Sequence, residues 1–208
     1  MKGSRLIIQI VLVVGVVFLA YMLYSSVMEP VKYKKVQTQR EKIIISKLLN
    51  IKELEIEYKN INNKYTASFD TLKNFYLYGQ MPVVLKVGTN DTLTEEKALE
   101  LNLISRDTTY VNIKDTLLKN VENFNINTID IVPFTDGKKK FEINAGLVDR
   151  SNFKVAVFEV SCLQNDYLSD IEQQDLLKNN LILLKEDGKF PGLKLGSMDE
   201  PTTDGNWQ

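Results

Sequence analysis

The sequence predicts an α+β protein with an N-terminal transmembrane helix, a helical stalk and a small mixed α+β head whose strands are mostly antiparallel. Three observations carry this prediction. They are a long uncharged apolar run, a stripe of apolar residues at nearly 3.5-residue spacing, and short alternating segments further along the chain. The predicted divisions are a cytoplasmic tail (1–5), the span (6–24), a juxtamembrane segment and stalk (25–65), the head (66–190) and an irregular C-terminal tail (191–208).

The apolar run extends from Leu6 to Tyr24 and contains no charge and one amide, Gln9. As a helix it would be about 28 Å long, close to the ~30 Å hydrocarbon core of a bilayer. A buried helix of a soluble protein and a cleaved signal peptide are the alternatives. The run is longer than a usual signal-peptide core, and no clear small-x-small cleavage site follows it. We therefore interpret the segment as an uncleaved, single-pass signal-anchor.

The orientation depends on two opposing signals. A literal count of basic residues favours a cytoplasmic C-terminal side, because Lys32, Lys34 and Lys35 follow the span while only Lys2 and Arg5 precede it. A short basic N-terminal tail is typical of a signal-anchor, however, and long C-terminal domains translocate largely regardless of charge. We therefore expect the span in the inner membrane and the C-terminal domain in the periplasm.

The stalk carries a stripe of apolar residues that advance by three or four positions, as in a coiled coil. Pro30 is expected to break or kink the chain before the stripe begins. The stripe either pairs with a second helix or docks on the chain's own domain, and three heptads do not decide between them. We take it as the candidate partner-binding site, which consists of Ile44, Leu48, Ile51, Leu54 and Tyr58.

Local patterns predict the elements of the head in order. Ser68 precedes a short helix to Phe75, and Ser169 with Glu172 forms a capping box that opens a helix ending near Leu184. Alternation predicts the strands, and the Asp136-Gly137 pair predicts a turn between two of them. The other predicted elements are strands at 81–87, 110–113, 128–133, 140–145 and 154–162, a turn at 88–91 and a helix at 94–101.

Charge separates the stalk from the head. Residues 25–65 hold nine basic and five acidic side chains, whereas residues 66–208 hold 15 basic and 22 acidic ones. A basic segment beside the span suits anionic lipid headgroups, and an acidic head disfavours nucleic acid. The expected partners are the lipid bilayer through residues 6–24 and other envelope proteins, or a second copy, through the stalk.

The chain contains no histidine and one cysteine. These counts exclude Ser-His-Asp and Cys-His catalysis, histidine-ligated metal sites, zinc ribbons and intrachain disulfides. Cys162 ends an alternating strand and is predicted to be a buried thiol. Glu142 and Glu159 lie on neighbouring predicted strands, but Glu142 is expected to face solvent. We therefore predict no catalytic, cofactor-binding or metal-binding residue, and no cofactor.

Three stretches carry a resemblance to a known family. They are Asn62–Phe75 (NNKYTASFDTLKNF), Gly79–Val84 (GQMPVV) and Pro191–Trp207 (PGLKLGSMDEPTTDGNW). They resemble a family of uncharacterised single-pass envelope proteins of Bacteroidota, over nearly the whole chain. The resemblance implies an inner-membrane anchor and a periplasmic head, and it implies no activity.

A weaker, architectural resemblance is to type IV pilins and pseudopilins, which also join an apolar helix, a stalk and a β-containing head. The chain lacks their Gly-Phe cleavage site and the glutamate five residues into the apolar segment. The short cytoplasmic tail, the single span and the stalk look more like the bitopic assembly-platform components of pilus and secretion machines, which is an analogy of architecture.

These observations favour a non-enzymatic, membrane-anchored extracytoplasmic structural or assembly subunit of a cell-envelope complex, of a secretion- or pilus-like kind. The alternative is a membrane-tethered module that binds peptide, glycan or peptidoglycan in an aromatic-lined pocket formed by Tyr65, Tyr76 or Trp207. A carboxylate enzyme is the third hypothesis, and it requires two clustered acids with raised pKa.

Overall fold

The chain folds as an α+β protein in which one long N-terminal helix precedes short helices and small antiparallel sheets. The computed structural model describes residues 2–87, 105–122, 124–150 and 153–208. The predicted turn at 88–91 and helix at 94–101 lie outside them. The elements are α1 (Lys2–Asn62), α2 (Phe69–Tyr78), β1 (Gln80–Val87), β2 (Ser105–Asn112), α3 (Ile113–Thr116), a 3-10 turn (Ile126–Thr128), β3 (Glu142–Arg150), β4 (Phe153–Leu163), α4 (Gln164–Tyr167), α5 (Gln174–Glu186) and β5 (Gly192–Gly196).

Helix α1 is continuous over 61 residues, which is about 90 Å at the usual rise of 1.5 Å per residue. It passes through Pro30, so of the expected break or kink at this proline the break does not occur. Proline removes one helical N–H, which leaves the carbonyl four residues earlier, at Ser26, without its usual donor. Ser26 is exposed, so its carbonyl can find another polar partner and the helix continues.

The described chain divides into two compact units. The first unit consists of Met1–Ile45, Val132–Lys139 and Cys162–Leu193. The second consists of Ser46–Ile131, Lys140–Ser161 and Lys194–Gln208. The division falls inside α1, β4 and β5, so each of these elements contributes residues to both units.

Each unit has its own buried apolar residues, and both draw on α1. In the first unit α1 contributes Tyr33 and Ile44, and in the second it contributes Leu48, Ile51 and Leu54. The remaining buried apolar residues of the first unit include Val132, Cys162, Tyr167, Leu168, Ile171, Leu177 and Leu193. Those of the second unit include Leu72, Ile113, Ile129, Phe141, Val157, Phe158, Val160 and Leu195.

The apolar stripe on α1 therefore docks on the chain's own fold. Four of the five candidate partner-binding residues, Ile44, Leu48, Ile51 and Leu54, are 0% exposed. Tyr58 is half-buried and makes an edge-to-face contact with Phe75 at 5.1 Å between ring centroids. The four aliphatic side chains are not available to a second helix, because they already lie in the core, and this corrects their assignment as a partner surface.

Helix α2 begins where the sequence predicts. The hydroxyl of Ser68 accepts a hydrogen bond from the backbone N–H of Thr71, and Leu72 on the inner face is fully buried. The predicted strand at 81–87 is β1, which pairs antiparallel with β2 from Gln80–Asn112 to Val87–Ser105. Among the described residues β1 pairs with β2 alone, and Pro82 is tolerated there as in an edge strand.

The second sheet has the order β3-β4-β5, with β3 and β4 antiparallel. The central strand β4 is covered on both faces, since Val157 and Phe158 are both buried. Strand β5 lies in the segment 191–208, so the prediction of a wholly irregular tail is wrong. The segment is rich in glycine, proline and aspartate, but Leu193 and Leu195 alternate into the core.

The predicted strand at 128–133 is wrong. The amide side chain of Asn125 accepts from the N–H of Asn127 and starts a 3-10 turn, which competes with an extended backbone. Only one isolated bridge, Ile131–Lys140, remains of the predicted pairing in this part of the described chain. The predicted turn is present, with positive φ of 50° at Asp136 and 75° at Gly137.

The predicted capping box at Ser169–Glu172 is also wrong. The hydroxyl of Ser169 donates to the carbonyl of Asp166, so it does not cap a following helix. Helix α5 begins five residues later, where the Gln174 amide donates to the carbonyls of Leu168, Ser169 and Ile171. A long side chain thus satisfies the carbonyls of the preceding turn, and the helix starts after it.

Candidate functional site

The N-terminal part of α1 exposes apolar side chains on every side. The large hydrophobic residues from Ile10 to Tyr24 are 54–70% exposed. Valine, leucine and phenylalanine at consecutive positions give this segment no polar face that water could solvate. The described residues contain one helix that is long and apolar enough to cross a membrane. Its side chains from Ile10 to Tyr24 form an apolar surface, and helical hydrogen bonds pair the backbone groups inside this segment, which are the two properties that a bilayer core requires.

A buried polar cluster lies further along α1 in the first unit. One carboxylate oxygen of Glu41 accepts hydrogen bonds from the Gln37 amide at 2.8 Å and from the Tyr167 hydroxyl at 3.1 Å. Burial, and then the charge of Glu41, raise the pKa of Tyr167 above its usual value. Tyr167 therefore stays protonated and acts as a fixed donor to Glu41.

Two polar atoms of the same cluster have no hydrogen-bond partner among the described residues, the Tyr33 hydroxyl and the Gln37 side-chain carbonyl. Asn180 lies close enough to the Tyr33 hydroxyl to act on it electrostatically, although the pair does not meet hydrogen-bond geometry. The Asn180 amide instead donates to Gln164 at 2.8 Å. Burial raises the pKa of Tyr33, so the cluster orders the packing of α1 against α4 and α5 without a group poised to lose a proton.

Arg40 ties α1 to the segment before α5. Its guanidinium donates to both carboxylate oxygens of Asp170 and to the Tyr167 carbonyl, and it lies 4.8 Å from the centre of the Phe134 ring. The hydrogen bond from Arg40 holds the pKa of Asp170 below its usual value. Arg40 therefore spans three parts of the first unit.

A polar cleft of about 400 Å³ lies beside Arg40. Its lining carries both signs of charge, and Lys139 pairs with Asp166 at 3.3 Å. The other lining residues are Phe134, Thr135, Asp136, Lys138, Asn165, Ser169 and Asp170. Mixed charges suit a small polar ligand, but the carboxylates already engage Lys139 and Arg40. The cleft therefore presents no free array of one charge.

In the second unit, Asp130 is a buried carboxylate held by two lysines. It is 3% exposed and lies 2.6 Å from the Lys73 ammonium and 2.7 Å from that of Lys140. Burial alone would raise the pKa of Asp130, but the hydrogen bonds from Lys140 and Lys73 outweigh it and lower the pKa. The carboxylate is thus ionised and fully engaged, as a structural tie requires.

Glu55 is the one wholly buried carboxyl on α1 in the described residues. It is 0% exposed, and one of its oxygens accepts from the N–H of Thr66 at 3.0 Å. Its other oxygen has no hydrogen-bond partner in the described chain. Burial raises the pKa of Glu55 to about 8, and the Thr66 bond opposes this only in part. Glu55 can hold a proton near neutral pH, but no described cleft reaches it.

The candidate nucleophile and acid pair do not assemble a reactive centre. Cys162 is 4% exposed, and burial raises the pKa of its thiol to about 12, which removes the thiolate that a nucleophile needs. Glu142 is exposed as predicted and pairs in register with Ser161, whereas Glu159 pairs with Asn144. The Glu159 carboxylate lies 3.2 Å from the Lys194 ammonium. No group of three metal-ligating side chains occurs in the residues described.

The three aromatic residues considered for ligand capture are engaged in packing. Tyr65 lies against Phe158 with ring centroids 4.6 Å apart, and Tyr76 lies against Phe124 at 5.3 Å. The Trp207 ring lies over Gly205, so closely that a Cβ there would come within 2.3 Å of it. None of the three lines the polar cleft beside Arg40 in the described chain.

A second cleft, of about 470 Å³, lies at the C-terminal end of α5, and no functional site predicted from the sequence includes its residues. Leu163, Leu181 and Pro191 form its apolar wall, and Lys185 and Lys189 stand at its rim. Two neighbouring side chains, Ile182 and Leu183, are 54% and 59% exposed. The sequence does contain a signal for this surface. The stretch LLKNNLILLKE places apolar residues on more than one face of the helix, so some of them are expected to stay exposed.

Comparison with known proteins returned no matching family model, no matching curated protein and no matching solved structure.

Proposed function

We propose that the chain is a single-pass membrane protein whose α+β part is held outside the cytoplasm and serves as a structural or assembly subunit of a cell-envelope complex. The observation that carries the proposal is the exposed apolar surface of α1 from Ile10 to Tyr24. Water would solvate this surface poorly, and a bilayer core of ~30 Å accommodates a helical segment of this length.

The continuity of α1 supports a structural role. The same helix that offers the apolar surface continues without a break to Asn62 and supplies core residues to both units. An anchor joined through a flexible linker would leave the following domain free to move, whereas a continuous helix transmits position and orientation. This suits a part that must be held at a defined distance from a membrane.

The side-chain chemistry favours a subunit over an enzyme. The chain has no histidine. The two acids that are buried among the described residues serve structural contacts, Asp130 with its lysines and Glu55 with the Thr66 N–H. The secretion- or pilus-like setting and the likeness to Bacteroidota envelope proteins remain part of this proposal.

Membrane anchoring is tested by membrane fractionation. Val13 and Val17 are 62% and 63% exposed, and arginine at the centre of a span costs about 3 kcal/mol per residue. The Val13→Arg, Val17→Arg double variant should leave the carbonate-resistant membrane pellet, while the matched Val13→Leu, Val17→Leu variant should stay in it. Equal retention of both variants would show that this segment does not hold the protein in the bilayer.

Topology and assembly need separate measurements. Alkaline phosphatase fused after Gln208 should be active, because it folds outside the cytoplasm. A fluorescent protein that matures only in the cytoplasm, fused at the same position, should not fluoresce. The reverse pattern would place the domain in the cytoplasm. Gentle detergent extraction followed by native electrophoresis and mass spectrometry should yield a complex of defined composition. A monomer that carries no other envelope protein after in vivo crosslinking would contradict the subunit role.

A further inference from the structure

The contacts of α5 fix its direction along α1 within the first unit. Gln174, at the start of α5, binds the carbonyls of Leu168–Ile171, the segment that Arg40 holds through Asp170. Six residues later, Asn180 lies beside Tyr33. Tyr33 and Arg40 are seven residues apart, about 10 Å along α1, and Gln174 and Asn180 are about 9 Å apart along α5. The two helices therefore run antiparallel, and α5 descends towards the apolar part of α1.

Helix α5 continues past Asn180 to Glu186. These six residues add about 9 Å and bring its last turn to the level of residues 27–30 on α1. Partial burial agrees with this, because Met28 is half-buried while Val27 and Glu29 are exposed. The apolar segment ends at Tyr24, and the headgroup layer adds roughly 5–7 Å beyond the hydrocarbon core on each side. By this measure Glu186 lies about 5 Å and Leu183 about 9 Å beyond the level of Tyr24, so the last turn of α5 extends from within the headgroup layer to its outer edge.

The side chains at this end suit a lipid surface. Ile182, Leu183 and Leu163 are exposed beside the apolar cleft of about 470 Å³. Lys185 and Lys189 stand at its rim, with Glu186 and Asp187 also exposed and Asp187 paired to Lys189 at 2.9 Å. On α1 at neighbouring heights, three exposed lysines outnumber the exposed Glu29; they are Lys32, Lys34 and Lys35. Apolar residues framed by an excess of basic ones are typical of membrane-surface contacts.

We propose that the C-terminal end of α5, with the turn over residues 187–190, is a second membrane contact that lies on an anionic lipid surface. This inference rests on the anchoring proposed above. Ile182 and Leu183 contact the outer edge of the headgroup layer, the cleft next to them takes the edge of the lipid layer, and the lysines contact phosphates. The apolar segment of α1 tethers the domain to the bilayer, and the second contact at the end of α5 also fixes its angle relative to the membrane plane.

Fluorescence quenching in vesicles tests the contact with the full-length chain. Single cysteines introduced as Leu183→Cys, Lys138→Cys and Val17→Cys carry an environment-neutral dye. The parent chain, whose Cys162 is buried, serves as the unlabelled control. Lys138 is the matched control because it is exposed in the same unit but lies in the cleft beside Arg40, further from the span. The vesicles contain phosphatidylglycerol and phosphatidylcholine with nitroxide-labelled lipids.

The proposal predicts a strong loss of fluorescence at position 183 with headgroup-labelled lipid and at position 17 with chain-labelled lipid, and little loss at position 138. Quenching at 17 without quenching at 183 would overturn the second contact and leave the anchor intact. Equal quenching at 183 and 138 would also overturn it, since the domain would then touch lipid without preference. Absence of quenching at 17 would overturn the anchoring itself.

Discussion

At the scale of single residues, burial separates side chains that look alike in the sequence. Glu53, Glu55 and Glu57 alternate along one stretch of α1, yet Glu53 is exposed and Glu55 is wholly buried. Helical periodicity places Glu55 next to Leu54 and Ile51 on the inner side of α1. From the sequence, however, a glutamate at this position is expected at the partly exposed edge of the apolar stripe. Only the packing of Thr66 and its neighbours over this position makes the carboxyl a core group.

Glu55 should make the protein less stable as pH rises. Its pKa is about 8 in the fold against 4.5 in the unfolded chain. Below pH 4.5 both states keep the proton; between pH 4.5 and 8 the unfolded state releases it first, so stability falls. The cost is about 1.4 kcal/mol per unit of pKa difference. Thermal unfolding followed by Trp207 fluorescence in detergent should show a lower Tm at pH 8.5 than at pH 5.

The Glu55→Gln variant should lose most of this pH dependence, because a neutral amide has no proton to release. The exposed Glu53 is the matched control, and Glu53→Gln should keep the slope of the parent chain. An unchanged slope in Glu55→Gln would contradict the raised pKa and assign the effect to other groups.

At the scale of elements, patterns within one element were predictable and competition between neighbouring groups was not. Ser68 caps α2, and alternation located β1 and β4, because these features depend on a few adjacent residues. The predictions of a strand at 128–133 and of a capping box at 169–172 are wrong for the same reason. In each, a polar side chain, Asn125 or Ser169, bonds to nearby backbone and selects a turn over the regular element.

The stripe on α1 should behave as core and not as a docking surface. Ile43 and Ile44 are adjacent on the same helix, 52% and 0% exposed. Ile44→Asp buries a charge and should cost more than about 4 kcal/mol, whereas Ile43→Asp should stay within about 0.5 kcal/mol of the parent. Circular dichroism and protease resistance report the difference. A folded Ile44→Asp variant that lost only its partners would restore the stripe as a partner-binding surface.

Strand β5 should depend on a glycine that no other residue replaces. Gly196 has φ of +75°, and a Cβ there would lie 2.3 Å from the Phe158 carbonyl oxygen. Gly137 has the same φ, but nothing lies within 4 Å of its Cβ position. Gly137→Ala should therefore cost about 1–2 kcal/mol, the backbone term alone. Gly196→Ala should lower the melting temperature distinctly more than Gly137→Ala does. Equal shifts for the two variants would show that β5 can move to accommodate the added Cβ without a loss of stability.

At the scale of the whole molecule, the net charge is near zero although the charges are unevenly distributed along the chain. The stretch after the apolar run is basic, and the remainder of the chain is acidic. The structure gives many of these charges specific partners. Each lysine of the run 138–140 forms an ion pair: Lys138 with Asp136, Lys139 with Asp166 and Lys140 with Asp130. The exposed lysines 32, 34 and 35 remain on α1 beside the proposed bilayer surface.

The sequence by itself determined the long apolar helix, the α+β class, the buried thiol and the chemistry that the absence of histidine excludes. These follow from composition and from periods of two or 3.6 residues, which are local properties of the chain. The tertiary structure decided that the stripe on α1 is core and that the C-terminal segment supplies β5. Each of these depends on what lies opposite a side chain, and residues distant in sequence supply that surface.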